Sequence, residues 1–245
     1  MRMSDLIKVC YAACPKEIAW TPHEAYGEFN IEDHNKVVKR VLYCVTPTQQ
    51  VQAYFLKHKY DLLISHHPYP TRKIPQLIFH TALDCCENGG LNDMWRDAVG
   101  LHLGYSHFDG MLGWTGEIEP IPFNELVEKV RLFSGKIDGQ VYVRDSIKSK
   151  LIKSVVICSG LGGLVLEQAR QTKADCYILG ENTCLAEDTG FLSVIEIGHT
   201  ASEWCGVLFF RKLLRGVTVD LAPCDIDVFG TEVFRNRKIS STTTL

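Results

Sequence analysis

No cysteine in this chain is followed by another three residues later, so the Cys-x-x-Cys pair of a thiolate zinc site is missing. The other spacings among the ten cysteines are irregular, and 245 residues bury a core without disulfide staples. The thiols are therefore expected to be reduced and mostly buried, in a cytoplasmic protein; Cys85-Cys86, close to a candidate ligand, is the redox-sensitive exception to consider. Long apolar runs are absent too: nothing approaches the roughly 18 residues of a membrane span. Met1-Arg2-Met3-Ser4-Asp5 leads into no signal-peptide pattern. Nor is there an excess of one charge. Lys and Arg number 26 against 29 Asp and Glu, a formal net charge of -3. That balance gives no electrostatic footprint for nucleic acid or an anionic membrane. No repeat of fixed period is visible.

What the chain does have is Asp61-Leu62-Leu63-Ile64-Ser65-His66-His67-Pro68. A short apolar run between polar residues reads as a buried strand of a parallel sheet. Proline disfavours the α region for the residue before it, which keeps His67 extended. Adjacent side chains of an extended chain point to opposite sides. Two diverging imidazoles at one strand end can each reach a different metal ion. Open α/β sheets place ligand sites outside the carboxyl ends of their strands.

The flanking pattern supports such a sheet. A helix is expected over residues 5–15, and 16–36 carry only weak signals. A strand over 39–45 and a helix opened by Thr46-Pro47-Thr48 precede the His-His strand; strand, helix and strand make a parallel crossover. In this reading threonine caps that helix and Pro47 lies in its first turn. Gln76 to Asp84 reads as a second apolar strand, with His80 and Asp84 where it gives way to a loop. Helices follow over 91–99 and 122–130. The second half has similar grammar: strands at 154–158, 174–181, 193–197 and 217–222, and helices at 164–172 and 199–214. Residues 240–245 are expected to be disordered.

His199 and Glu203 stand four apart at a helix start and so share a face. Imidazole with carboxylate suits zinc, iron or manganese better than calcium or magnesium. The same pair also fits a solvated helix N-terminus, His66-His67 fits a satisfied polar edge, and Asp84 fits a turn. Their weight comes from closing strands or opening helices at one rim. Two ions bridged by water there would form a hydrolytic centre. Gly160-Leu161-Gly162-Gly163 lacks the full phosphate-binding pattern and also reads as a tight turn. Ser106-His107-Phe108-Asp109 puts His107 and Asp109 on one strand face, an alternative ligand pair. His23, His34, His58 and His102 have no ligand-like spacing.

Three blocks together resemble the NIF-three-like family, also described as GTP cyclohydrolase I type 2-like. They are Asp61 to Pro68; His80-Thr81-Ala82-Leu83-Asp84 with Gly89-Gly90-Leu91-Asn92-Asp93 behind it; and Gly198-His199-Thr200-Ala201-Ser202-Glu203. Their order is the family's, over about residues 37–223. The resemblance implies an α/β fold of two lobes, roughly 1–120 and 121–245, within one domain. Mixed or parallel sheets would be flanked by helices, with a di-metal site between the lobes. It implies two divalent ions, zinc, iron or manganese, held by His66, His67, Asp84, His199 and Glu203, with His80 in the pocket. It selects Asp84 over Asp109, and it implies a homohexamer. Two departures stand out: the segment from His67 to His80 is short by roughly one helix, and no histidine stands near Leu185. The expected function is metal-dependent hydrolysis of a small molecule such as a nucleotide or other heterocycle, with His80 as proton shuttle. The alternative is a non-enzymatic metal carrier or regulatory metal-binding protein.

Overall fold

The computed structural model describes residues 1–21, 25–69, 71, 73–87, 89–108, 112–134, 141–144, 151–181 and 192–223. Helix α1 (Met3–Ala13) buries Met3, Leu6, Ile7 and Cys10, the spacing of one helical face. Strand β1 (Tyr26–Phe29) lies in the stretch where the sequence signals no element. It is a half-exposed antiparallel edge strand with Gly27 at φ +120, so neither alternation nor an apolar run marks it. Strand β2 (Arg40–Cys44), helix α2 (Gln49–Lys57) and strand β3 (Leu62–Ser65) form the expected parallel crossover. Thr48 caps α2, its hydroxyl accepting from the Val51 N–H at 3.3 Å. Pro47 precedes the cap rather than occupying the first turn.

Strand β4 (Gln76–Phe79) is shorter than the apolar run suggests. At Phe79 (φ -134, ψ 40) the chain turns into a short helix, α3 (His80–Asp84), where a strand ending in a loop was expected. Leu77, Ile78 and Phe79 are buried on the strand and Ala82 and Leu83 on the helix, so no periodicity separates the two. Helix α4 (Leu91–Val99) stops at Gly100, which takes the left-handed φ of +84. Then come β5 (Leu103–Phe108), β6 (Gly113–Pro122), α5 (Phe123–Ser134), β7 (Tyr142–Arg144) and β8 (Leu151–Cys158). A 3-10 turn at Gly162–Val165 leads into α6 (Leu166–Gln171), β9 (Cys176–Leu179) and β10 (Ser193–Glu196). Helices α7 (His199–Glu203) and α8 (Gly206–Leu213) and strand β11 (Thr218–Leu221) complete the described elements.

Two mixed sheets result, in the orders β1-β4-β3-β2-β11 and β5-β6-β8-β9-β10-β7. In the first, β11, β2, β3 and β4 are parallel and β1 is antiparallel. In the second, β8, β9 and β10 are the parallel centre. Strand β11 thus returns late in the chain to pair with β2, while β5 and β6 belong to the second sheet. Apolar residues of both sheets and of α1, α4, α5 and α8 share one core cluster, with Tyr43, Phe79, Trp95 and Phe210 fully buried. Among the described residues no helix is long and apolar enough to cross a membrane. The tail at 240–245 and the position of Leu185 lie outside the described residues.

The segment expected to be one helix from 199 to 214 breaks after Glu203. The Tyr43 hydroxyl donates to the Glu203 carbonyl at 3.0 Å. That carbonyl is the acceptor Val207 N–H would use in a continuous helix; Val207 N–H bonds the Trp204 carbonyl instead, at 3.2 Å. Gly206 completes the arrangement, because a Cβ there would lie 2.2 Å from the Tyr43 oxygen. Tyr43→Phe removes a buried donor and leaves the carbonyl short of a partner, so it is expected to destabilise by about 1–3 kcal/mol. A lower urea midpoint with unchanged m-value is the expected reading.

Candidate metal centre

The parallel strands of both sheets deliver their carboxyl ends to one place. Strand β3 ends at Ser65 and hands on His66 and His67; β4 ends at Phe79 and leads into His80 and Asp84; β10 leads through Gly198 into His199 and Glu203. His67 Nε2 lies 3.1 Å from His199 Nε2 and 3.2 Å from Glu203 Oε2. His199 Nε2 is 3.2 Å from Glu203 Oε1. On the other side His66 Nε2 is 3.3 Å from Glu203 Oε1 and 3.5 Å from Asp84 Oδ2. Possible ligand atoms lie within 4.8 Å of one another in each of three groups: His67, His199, Glu203; His66, Asp84, Glu203; and His66, His67, His80. Glu203 belongs to two of them. The five residues expected as ligands are thus brought together, and His80 is beside them, its ring centroid 5.2 Å from that of His66.

All five are buried. His66 has no hydrogen-bond partner on either ring nitrogen, and Glu203 Oε2 has none. Two imidazole nitrogens 3.1 Å apart cannot both be donors to each other; they share a proton or face a cation. Burial disfavours a charged His66, but Glu203 and Asp84 outweigh it and raise its pKa. Burial lowers that of His67, with Glu203 opposing. Burial pushes the Asp84 carboxyl up to about 6, with His66 opposing. It also opposes ionisation of Glu203, yet His199, His66 and His67 together hold that carboxyl well below its usual range.

The spacing of the blocks did not reveal the residues behind the cluster. Thr46 Oγ1 lies 2.7 Å from His67 Nδ1, and Glu181 Oε2 lies 3.0 Å from His199 Nδ1. Ser159 donates to Asp84 Oδ1 at 2.5 Å, and Asn92 Oδ1 accepts from the Ser159 N–H at 2.8 Å. Each of Thr46, Ser159 and Glu181 follows the end of a parallel strand, the same positional signal that marks the histidines. A pocket of about 110 Å³ opens beside the cluster, lined by Trp20, His80, Asp84, Leu161, His199 and Glu203 among others.

Other sequence candidates lie apart from the cluster. His107 stacks on Trp114 at 3.7 Å and pairs with Glu87 at 3.0 Å; Asp109 and His23 are outside the described residues. His34 pairs with Glu28, His58 stacks on Tyr54, and His102 is exposed. In the glycine loop, Gly160 N–H donates to Ser202 Oγ, Gly162 N–H to the Gly160 carbonyl and Gly163 N–H to the Glu181 carbonyl. With those donors engaged inside the fold, the loop is a tight turn rather than a phosphate cradle. The eight described cysteines are buried, Cys85 and Cys86 included.

The family described as Duf34/NIF3 (NGG1p interacting factor 3) matches residues 1–79 and 71–236. A Lactococcus lactis protein named GTP cyclohydrolase 1 type 2 homolog is 26% identical over 203 residues, 74% of this chain and 78% of its own length. A Pyrococcus abyssi protein of the same name is 36% identical over 112 residues, 42% of each chain. Among solved structures, reduced HcgD from Methanocaldococcus jannaschii superposes with a TM-score of 0.77 at 22% identity, over 91% of this chain and 98% of that one. A Bacillus cereus protein related to NIF3 gives 0.73 at 16%, over 94% and 98%. At those identities the structural likeness establishes the fold, and the sequence match establishes kinship: the chain belongs to the Duf34/NIF3 family.

Proposed function

We propose that the protein holds two divalent metal ions and uses them to hydrolyse a small molecule. The observation that carries this reading is one of charge. Asp84, Glu181 and Glu203 are buried together at 6%, 1% and 1% exposure. Among the described residues none of the three pairs with lysine or arginine; their ionic partners are histidines. A buried carboxylate left without a cation costs several kcal/mol, and two divalent ions within this cluster would offset that cost. The donor set, imidazole and carboxylate, fits zinc, iron or manganese. One ion would be held by residues of the His67, His199 and Glu203 group and the other by residues of the His66, Asp84 and Glu203 group, Glu203 belonging to both. The carboxyl rims of the two sheets then enclose the centre.

A bound divalent ion lowers the pKa of a coordinated water and polarises the bond under attack. The chain's own contribution is placement. Thr46 holds the His67 imidazole in orientation from behind, and Ser159 does the same for Asp84. The pocket seats the substrate against the carboxylates, with Trp20 and Leu161 offering apolar surface to a heterocycle. His80, half-buried at the pocket wall, carries a proton between substrate and solvent, since histidine titrates near neutrality. The name shared by the Lactococcus and Pyrococcus relatives points to a nucleotide as the first substrate class to assay. Family membership also supports the homohexamer as the assembly to look for.

The third histidine group favours a second reading. His66, His67 and His80 offer a further position for an ion, with His80 on the pocket wall, a staging point that a metal carrier would need. His80→Ala separates the two. An enzyme is expected to keep its metal content and lose turnover by 10²-fold or more; a carrier is expected to slow in delivering its ion to a competing chelator.

Glu203→Gln is expected to lower bound metal from about two ions per chain to one or none, measured by elemental analysis. Unchanged stoichiometry removes Glu203 from the centre. Stripping the metal with a chelator is expected to lower Tm, because a ligand present at about 100 times its Kd stabilises by about 2.7 kcal/mol. Readdition of zinc or manganese restores it.

A further inference from the structure

The metal reading leaves one buried acid without a role as ligand. Glu181 is 1% exposed and follows the end of β9. Its Oε2 lies 3.0 Å from His199 Nδ1, the ring nitrogen turned away from Glu203 and His67. Its Oε1 has no hydrogen-bond partner. The backbone of the same residue is tied to the glycine turn: Glu181 N–H donates to the Gly160 carbonyl at 2.7 Å, and the Glu181 carbonyl accepts from Gly163 N–H at 2.9 Å. Gly160 in turn lies against Glu203, where a Cβ would come 2.6 Å from Oε1. The approach of these segments depends on Gly180, whose absent Cβ would meet the Gly160 carbonyl oxygen at 2.4 Å and Ser202 Oγ at 2.4 Å.

We infer that Glu181 is a positioning residue of the centre: it fixes His199 with Nδ1–H toward its own carboxylate and the Nε2 lone pair toward the ion. This rests on the metal reading of the site and assigns a residue that coordinates nothing itself. The alternative is a structural brace. A brace gains little from an acid here, because a buried carboxyl group with one oxygen unpartnered is a poor stabiliser. An acid behind an imidazole has a use: it fixes the ring's orientation and makes the ring a stronger donor to a cation on its far side. The contrast with Thr46 is informative. That hydroxyl can orient His67 but brings no charge, so the two rings facing each other at 3.1 Å are backed differently.

The test uses the full chain, with zinc as the probe. Zinc affinity is measured by competition with a chromogenic chelator for wild type, Glu181→Gln and Glu181→Ala, and the urea midpoint of each metal-free protein is recorded. The glutamine carbonyl can still accept from Nδ1–H, so Glu181→Gln is expected to weaken zinc binding about 10-fold, and Glu181→Ala nearer 100-fold. The metal-free midpoint of Glu181→Gln is expected to stay level or rise. Cobalt-loaded Glu181→Gln is expected to show a shifted visible absorption, reporting an altered ligand field. Wild-type affinity in Glu181→Gln overturns the assignment, whether or not stability falls; a fall in stability alone makes Glu181 a brace. If Glu181→Ala does not fold, Glu181→Gln still decides. Wild-type protein that binds no zinc, iron or manganese removes the metal reading itself, and this assignment with it.

Discussion

The structure turns on one carboxylate. Glu203 sits where the carboxyl rims of two sheets face each other, its two oxygens 3.2–3.3 Å from imidazoles supplied by both. In a water-poor interior such a group stays ionised only if positive charge is near. Three histidines do supply it, and they hold Glu203 well below the ordinary carboxylate range. Asp84 and Glu181 lie in the same interior, and the ionic partners of all three acids among the described residues are histidines. His66 sits among them with both ring nitrogens lacking hydrogen bonds. Buried polar groups left that way are rare in folded proteins, which is what singles this cluster out.

Bringing the two rims this close depends on residues with no side chain. Gly160, Gly180 and Gly206 each stand where a Cβ would fall within 2.6 Å of a neighbouring atom. Gly160 also takes φ +62. The first two let the turn after β8 and the end of β9 reach Ser202 and Glu203; the third lets α8 lie against the Tyr43 ring. Tyr43 then binds the carbonyl of Glu203 itself. Both sheets therefore reach the side chain and the backbone of that residue: Gly160 of the second lies against the carboxylate, and Tyr43 of the first bonds the carbonyl.

Much of this was legible in the residues. Buried parallel strands read as apolar runs, and β2, β3, β8, β9 and β10 were all visible that way. So were α4 and the clustered histidines and acids, because a polar group at the end of an apolar run is conspicuous. What was hidden has physical causes. Strand β1 is exposed on an edge and carries no pattern. Helix α3 was concealed because the strand and all of the short helix but His80 are buried, which erases periodicity. The break between α7 and α8 depends on a hydroxyl 160 residues away, a contact no local signal encodes. Glu181 and Thr46 were overlooked for another reason: a single acid or threonine after a strand is common, and only its distance to a particular ring nitrogen gives it meaning.

The arrangement also bears on why both sheets are needed. A single parallel sheet presents its strand ends in one row, with neighbouring strands about 4.8 Å apart. Side chains from one row approach a common point from one side only. Here the first sheet supplies His66, His67 and Asp84 and the second supplies His199 and Glu203, so the cluster closes from opposite sides at separations near 3 Å. The late return of β11 to pair with β2 stitches the chain beyond the second sheet back onto the first. It does so immediately after α7 and α8, the segment that carries His199 and Glu203. The spacing of the two rims is thereby fixed by backbone hydrogen bonds of the first sheet as well as by core packing. A cluster of buried side chains held at separations near 3 Å requires that rigidity, and a topology that weaves both sheets together supplies it.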